Sequence, residues 1–137
     1  MASIRKDIVV QTDAASVWEA VRDFANVHKV LVPGFVVDCE PVDDERGEAR
    51  SVTFATGRVA RELLVTRDEE ARRLVYSVVE SQLPIVHYSA AVEVSEGDDG
   101  RTRVVWTLDL LPDSLAEPME MLMSKGAEIM TQTLTSR

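Results

Sequence analysis

Arg50, Glu62 and Tyr76 are the side chains whose types could carry out chemistry together. An arginine can polarise a carbonyl oxygen, and a carboxylate or a phenol can move a proton. A turn that places Phe54 opposite Arg58 brings Arg50 directly opposite Glu62 on the neighbouring β-rich segment. The segment that follows would bring Tyr76 across from Glu62. The spacing therefore predicts one polar cluster on an otherwise apolar face of a sheet.

The predicted Arg50–Glu62 pair has two interpretations at this point. The pair could orient a carboxylate, hydroxyl or carbonyl group of a ligand at the end of an apolar cavity. It could equally be a partly buried ion pair that only satisfies its own charges, because buried charges in proteins are usually paired. Both interpretations depend on the register, since a slip of one residue would turn both side chains to solvent.

The other reactive residue types form no recognisable catalytic set. His28 and His87 are far apart in the sequence, and the alternation of its strand places His87 on the outer face. Cys39 is the single cysteine, so it cannot form an internal disulfide, and we expect it to be a small buried hydrophobe. The sequence shows no metal-ligand spacing, glycine-rich phosphate loop or Ser-His-Asp order. We therefore expect neither a metal nor a cofactor.

The sheet that must position this cluster is predicted from alternating apolar residues. The predicted strands are Ile4–Gln11, Phe35–Val42, Arg50–Ala55, Arg58–Thr66, Arg73–Ser81, Val86–Ser95 and Arg101–Leu111. Short polar turns join the later strands, which makes neighbouring strands antiparallel. Centring the last hairpin on its turn pairs Val92 with Trp106 and Tyr88 with Leu110, so that the apolar faces of the two strands coincide.

Helical spacing predicts two short helices between the first and second strands and one long helix at the C-terminal end. The long helix, within residues 113–137, has an apolar stripe formed by Leu115, Met119, Leu122, Gly126, Ile129, Met130 and Thr133. Met119, Met123 and Met130 lie on the stripe or at its border, and methionine adapts to irregular and variable apolar shapes. With the small Gly126 among them, these methionines indicate a helix that faces a cavity.

Composition narrows the classes of partner. The chain has 137 residues, a length typical of one domain, here residues 1–137. It carries 15 Lys and Arg against 24 Asp and Glu, a net charge of -9, which argues against nucleic acid as a partner. The sequence contains neither a signal-peptide pattern nor a long apolar run, so we expect a cytoplasmic protein without membrane insertion. The sequence leaves open whether it is a monomer or a homodimer.

Several short stretches together resemble a known family. They are Ala15-Ser16-Val17-Trp18, Pro33-Gly34, Gly47 to Arg50, Gly57 to Glu62, Arg72 to Tyr76, Leu83-Pro84 with Tyr88, and Gly100 to Trp106. With the order of predicted elements, they resemble the START-like helix-grip superfamily (SRPBCC), and within it the polyketide cyclase/dehydrase and lipid-transport group. The resemblance implies an α+β fold in which a seven-stranded curved antiparallel sheet, of order 2-3-4-5-6-7-1, wraps around the long C-terminal helix. It also implies a hydrophobic cavity between them.

Members of this superfamily range from carriers of lipids or sterols to aromatase/cyclases, so the fold alone does not fix a function. The first hypothesis is therefore a protein that binds a small hydrophobic molecule of lipid, polyketide or isoprenoid type. The expected ligand-binding residues are Arg50, Phe54, Glu62, Leu64, Tyr76, Tyr88, Trp106, Met119, Leu122, Met123, Gly126, Ile129 and Met130. An alternative is a cyclase/dehydratase-type enzyme that uses Arg50, Glu62 and Tyr76. A second alternative is a partner-binding or stress-response module without a tight ligand.

Overall fold

The computed structural model describes residues 2–137, and its elements follow the predicted order. The strands are β1 (Ala2–Val10), β2 (Val36–Val42), β3 (Ala49–Phe54), β4 (Val59–Asp68), β5 (Arg73–Ser81), β6 (His87–Glu96) and β7 (Thr102–Leu111). The helices are α1 (Ala14–Arg22), α2 (Val27–Val30) and α3 (Ala116–Thr135), with short 3-10 turns at Phe24–Asn26 and Asp113–Leu115. The predicted boundaries differ from these by only a few residues.

The strands form one seven-stranded antiparallel sheet with the order β1-β7-β6-β5-β4-β3-β2. Strands β2 to β7 are a meander in which each strand pairs with the next along the chain, and β1 closes the far edge beside β7. The sheet curves around α3, and α1 and α2 lie between β1 and β2 in the chain. The α+β helix-grip fold and the strand order are therefore confirmed.

The predicted register is confirmed in two hairpins. Val92 pairs with Trp106 in the β6–β7 hairpin, and Arg50 pairs with Glu62 in the β3–β4 hairpin. In the β6–β7 hairpin alternation explains why the prediction succeeds, because every second residue from Tyr88 to Val94 and from Val104 to Leu110 is apolar and buried. The two hairpins carry the inner face on which the polar cluster lies.

The prediction that Tyr76 lies across from Glu62 in the next strand pair is wrong in its register. Glu62 pairs with Val78, and Tyr76 pairs with Leu64. The register of the β4–β5 pair shifts twice, because Val79 is an extra residue in β5 and Val65 is an extra residue in β4. Since the extra residues lie on opposite strands, the second shift restores the register that the first one changes.

Helix α3 packs its buried side against the inner face of the sheet. Its fully buried residues are Met119, Met123, Gly126, Met130 and Leu134. The observed stripe is rotated slightly from the predicted one, since it includes Met123 and Leu134 while Leu122 and Ile129 are only partly buried. Pro118 falls in the first turn, where its missing N–H has no intrahelical partner to lose. Across residues 2–137, no helix is both long and apolar enough to cross a bilayer.

Helix α1 is attached to the turn between β4 and β5 through one carboxylate. Asp13 caps the helix by accepting a hydrogen bond from the Ser16 N–H. The indole Nε1–H of Trp18 donates to Glu69 Oε1 at 2.7 Å, and Arg22 Nη2 donates to Glu69 Oε2 at 2.7 Å. Glu69 therefore holds the α1 end of the molecule to the sheet.

Candidate ligand-binding cavity

A cavity of about 750 Å³ lies between the inner face of the sheet, α3 and the segment that connects α2 to β2. Most of the predicted ligand-binding residues are on its wall: Arg50, Phe54, Glu62, Tyr76, Tyr88, Trp106, Met119, Leu122, Met123, Ile129 and Met130. Most residues of the wall are apolar, and its charged members are Arg50, Arg58, Glu62 and Lys125. The alternation that defines the inner face thus also identified most of the cavity wall.

Two predicted residues, Leu64 and Gly126, do not line the cavity. A Cβ on Gly126 would lie 3.1 Å from Trp106 Cη2 and 3.3 Å from Phe35 Cε2, so the space beside this glycine is filled by two aromatic rings. Leu64 is partly buried and packs against the core next to the Val65 bulge. Both residues therefore pack within the core and are not part of the cavity wall.

Sequence reasoning missed the part of the wall that comes from loops. Leu31, Val32 and Phe35 reach the cavity from the connection between α2 and β2, and Leu83 and Ile85 reach it from the connection between β5 and β6. The signal was present, because both connections contain large apolar residues around a proline. Such residues in a loop must be buried against something, and here they border the cavity.

The closed end of the cavity contains the Arg50–Glu62 ion pair. Arg50 Nε donates to Glu62 Oε1 at 2.8 Å, and Arg50 Nη1 donates to the Phe24 carbonyl oxygen at 2.8 Å. The guanidinium carbon is 3.8 Å from the centroid of the Phe24 ring and 5.1 Å from that of Tyr76. The two charged residues are only 6% and 5% exposed. The protein itself therefore supplies Arg50 with a counter-charge, a backbone acceptor and an aromatic ring on which to pack.

One oxygen of this pair is available to a ligand. Arg50 Nη2 also contacts Glu62 Oε1, at 2.6 Å, so both contacts fall on the same oxygen. Within residues 2–137, Oε2 accepts no hydrogen bond, and Glu62 lines the cavity. A hydroxyl or N–H group of a bound molecule could donate to this oxygen.

The aromatic residues beside the pair keep their protons. Trp106 Nε1–H donates to the Tyr76 hydroxyl at 3.2 Å. Burial, and then the negative charge of Glu62, raises the pKa of Tyr76 above its ordinary value. Burial also raises the pKa of Tyr88 well above its ordinary value, with the neighbouring Tyr76 as the next cause. Both phenols are therefore neutral at physiological pH and offer hydrogen bonds rather than charge.

The remaining reactive residues lie away from the cavity wall. His87 is exposed, as predicted, and Cys39 is buried, with Sγ 4.0 Å from the Phe24 carbonyl oxygen. Burial raises the pKa of the Cys39 thiol, which makes it a poor nucleophile. The Nδ1 atom of His28 is buried without a hydrogen-bond partner among residues 2–137. No group of three His, Cys, Asp or Glu side chains in the described chain could hold a metal ion.

A comparison with protein families identifies a family whose members share this sequence pattern. The family described as polyketide cyclase / dehydrase and lipid transport matches residues 1–136. The chain belongs to this family. Because the match covers nearly the whole chain, the sheet, α3 and the cavity between them all lie within the matched residues. A comparison with curated proteins gives no match.

Solved structures of similar fold support the assignment of this family member's architecture. XoxI from Bacillus cereus shares 18% sequence identity, with a TM-score of 0.79 over 99% of this chain and 94% of that chain. A protein from Nitrosospira multiformis shares 21% identity, with a TM-score of 0.83 over 98% and 97%. A protein from Thermobifida fusca shares 29% identity, with a TM-score of 0.79 over 98% and 91%. The helix-grip fold is common to all of them.

Proposed function

We propose that this protein binds one small hydrophobic molecule, of lipid, polyketide or isoprenoid type, in the cavity between the sheet and α3. The observation that carries the proposal is the cavity of about 750 Å³ in a chain of only 137 residues. Protein interiors are normally packed with few voids larger than a water molecule, and ligand pockets fall in the range of roughly 300–1,000 Å³. The family assignment, which includes lipid transport, supports the same proposal.

The contacts of the polar cluster favour binding over catalysis. Arg50 donates to Glu62 and to a backbone carbonyl, so a substrate carbonyl would compete with partners that are already in place. The raised pKa of Tyr76 makes this phenol a weak acid and keeps it from acting as a base at neutral pH. The cyclase/dehydratase-type alternative therefore has less support than a binding role.

A substitution that fills the cavity tests the proposal. Leu122 lies on the cavity wall and is partly buried, so Leu122→Trp should place an indole ring in the space of the ligand. Gln132 is exposed on the same helix and does not line the cavity, which makes Gln132→Trp the matched control. Binding of the neutral fluorophore N-phenyl-1-naphthylamine is measured by titration, and the gently purified protein is analysed by native mass spectrometry with organic extraction.

We expect the native protein and Gln132→Trp to bind the fluorophore or to carry a hydrophobic passenger in a one-to-one ratio. Leu122→Trp should bind at least about tenfold more weakly, a loss of roughly 1.4 kcal/mol. Unchanged binding by a Leu122→Trp protein with a native circular dichroism spectrum would place the ligand elsewhere. A native protein that carries no passenger and takes up no fluorophore, fatty acid, sterol or polyketide would instead favour the partner-binding alternative.

A further inference from the structure

We infer that the bound molecule is an amphiphile with an anionic group, a carboxylate or a phosphate, held at the cavity mouth by Arg58 and Lys125. The inference rests on the proposed binding function and adds the chemical class and the orientation of the ligand. Arg58 and Lys125 are both exposed, and both line the cavity, so they lie where it opens to solvent.

Basic residues without an ion pair are a minority in this protein, which has a net charge of -9. Most of its basic side chains form ion pairs, as Arg22 does with Glu69 and Arg67 with Glu48. Among residues 2–137, Arg58 and Lys125 form no ion pair, although carboxylates outnumber basic residues by 24 to 15. Their positive charges therefore remain available to an anion at the mouth.

The two cations come from different elements that both line the cavity. Arg58 follows the tight turn between β3 and β4, in which Gly57 has a φ of 89° and donates a hydrogen bond to the Phe54 carbonyl oxygen. This left-handed conformation favours glycine, so the turn that presents Arg58 is locally defined. Lys125 lies in the middle of α3. A ligand that enters between the sheet and the helix has one cation on either wall of the opening.

The closed end of the cavity presents a negatively charged acceptor, whereas the mouth presents two cations. Arg50 is occupied by Glu62 and by the Phe24 carbonyl oxygen, and the free oxygen of Glu62 is an acceptor that would repel an anion. The walls between the two ends are apolar, with residues such as Val52, Leu74 and Met130. An anionic amphiphile is therefore stabilised in only one orientation, with its apolar tail inward and its charged head group between Arg58 and Lys125.

Competition between three molecules with the same twelve-carbon tail tests the inference. Dodecanoate, dodecyl phosphate and dodecanol are each titrated to displace N-phenyl-1-naphthylamine at pH 8 and low salt. The native protein is compared with the double variant Arg58→Gln/Lys125→Gln. The double variant Lys29→Gln/Arg73→Gln is the charge-matched control, because these two exposed cations also lack ion pairs within the described chain but do not line the cavity.

We expect the native protein and the control variant to bind at least one of the anions about threefold to tenfold more tightly than dodecanol, as two solvent-exposed ion pairs would provide. The Arg58→Gln/Lys125→Gln protein should bind dodecanol as before and should lose this preference. High salt should weaken the preference in the native protein, because exposed charges are screened. Whether dodecanoate or dodecyl phosphate binds more tightly identifies the head group.

Four outcomes would overturn the inference. Equal affinity of the native protein for dodecanol and for both anions would refute the anionic head group while leaving the hydrophobic ligand in place. An equal loss of preference in the two double variants would show a general charge effect without a site at the mouth. A failure of all three molecules to displace the fluorophore, which itself binds, would refute the amphiphile class alone, whereas no binding of the fluorophore would refute the proposed function as well.

Discussion

Single residues define the closed end of the cavity, and the Arg50–Glu62 pair is the costliest part of it. Removing two charges from water has a large desolvation cost, which is offset only when geometry and additional hydrogen bonds are good. Here Arg50 has a carboxylate, a backbone carbonyl and two aromatic rings around it. The pair is therefore compensated as long as both partners are present.

Glu62→Gln should destabilise the protein by about 3 kcal/mol, because it leaves the buried Arg50 charge without a counter-charge. The measurement is the free energy of unfolding in urea. The double variant Arg50→Met/Glu62→Leu should be more stable than Glu62→Gln, because it removes both charges and keeps apolar volume. If Glu62→Gln is as stable as the native protein, the pair is solvated and does not close the cavity. This result also bears on catalysis, since a loss of activity in Glu62→Gln could reflect unfolding alone.

The residues of this site differ in how well their positions could be predicted from the sequence. The pairing of Arg50 with Glu62 follows from one short turn and strict alternation, and it is confirmed. The register that relates Tyr76 to Glu62 depends on the Val65 bulge, which lies between them and the β4–β5 turn and carries no distinct residue signature. Tyr76 nevertheless reaches the pair, because an aromatic side chain can contact a diagonal neighbour on the same face.

Among the contacts between helices and strands, the close approach of α3 to the sheet depends on Gly126. Gly126 leaves room for the Trp106 ring, whose Nε1–H donates to the Tyr76 hydroxyl. The Phe35 ring fills the other side of the same space. The helix can therefore approach the sheet closely at this level while the cavity opens elsewhere along it.

Gly126→Ala should destabilise the protein by about 1 kcal/mol. An alanine is favoured over glycine in a helix by roughly 1 kcal/mol, but overpacking of a filled core costs about 1–3 kcal/mol. The added Cβ would lie 3.1 Å from two atoms of a Trp106 ring that is only 7% exposed and fixed by a hydrogen bond, so overpacking should dominate. Thermal and urea unfolding measure the change.

The control for this variant is Ser124→Ala, at an exposed position of the same helix. It should leave stability unchanged or raise it slightly, because alanine has the higher helix propensity. A Gly126→Ala protein that gains as much stability as Ser124→Ala would show that Trp106 moves aside without cost.

The helices and strands were easier to predict than the side chains that each of them buries. The long helix was found from its amphipathic period, but its buried stripe includes Met123 and Leu134 and leaves Leu122 and Ile129 only partly buried, because part of the helix faces the cavity. A hydrophobic pattern reports which residues avoid water, and it does not distinguish a packed core from a cavity. The loop residues of the wall escaped prediction because they belong to no periodic segment.

The acid stability of the whole molecule depends on carboxylates that are paired with arginines. The guanidinium group of Arg22, with the Trp18 indole as the next cause, lowers the pKa of Glu69 to about 2. Arg5, Arg46 and Arg101 in the same way lower the pKa values of Asp7, Asp44 and Asp99 below their ordinary range. Each of these contributions to stability is present when the carboxylate is charged.

Stability should therefore fall as the pH drops from about 4.5, the ordinary pKa of Glu69, to about 2, its pKa in the folded protein. Above this window the unfolded and folded states both hold Glu69 ionised, so its contribution is complete at pH 7. Urea unfolding at a series of pH values measures the dependence.

Glu69→Gln should unfold more readily at pH 7 than the native protein and should show a shallower decline in acid. Glu128→Gln, at an exposed glutamate that forms no ion pair in the described chain, is the control and should keep the native decline. A Glu69→Gln protein with the full native decline would show that other groups cause the acid sensitivity.

The paired bulges of β4 and β5 have an evolutionary consequence. Val65 and Val79 are extra residues on opposite strands, and each one compensates for the other in the register. A lineage that deleted Val65 alone would shift the register of β4 by one residue on one side of the deletion. The side chains there would turn to the opposite face of the sheet, and the apolar wall would be exposed. A lineage that deleted both would keep its hairpin but straighten the bend, and so would alter the volume available inside. Insertions and deletions at these two positions should therefore be inherited together.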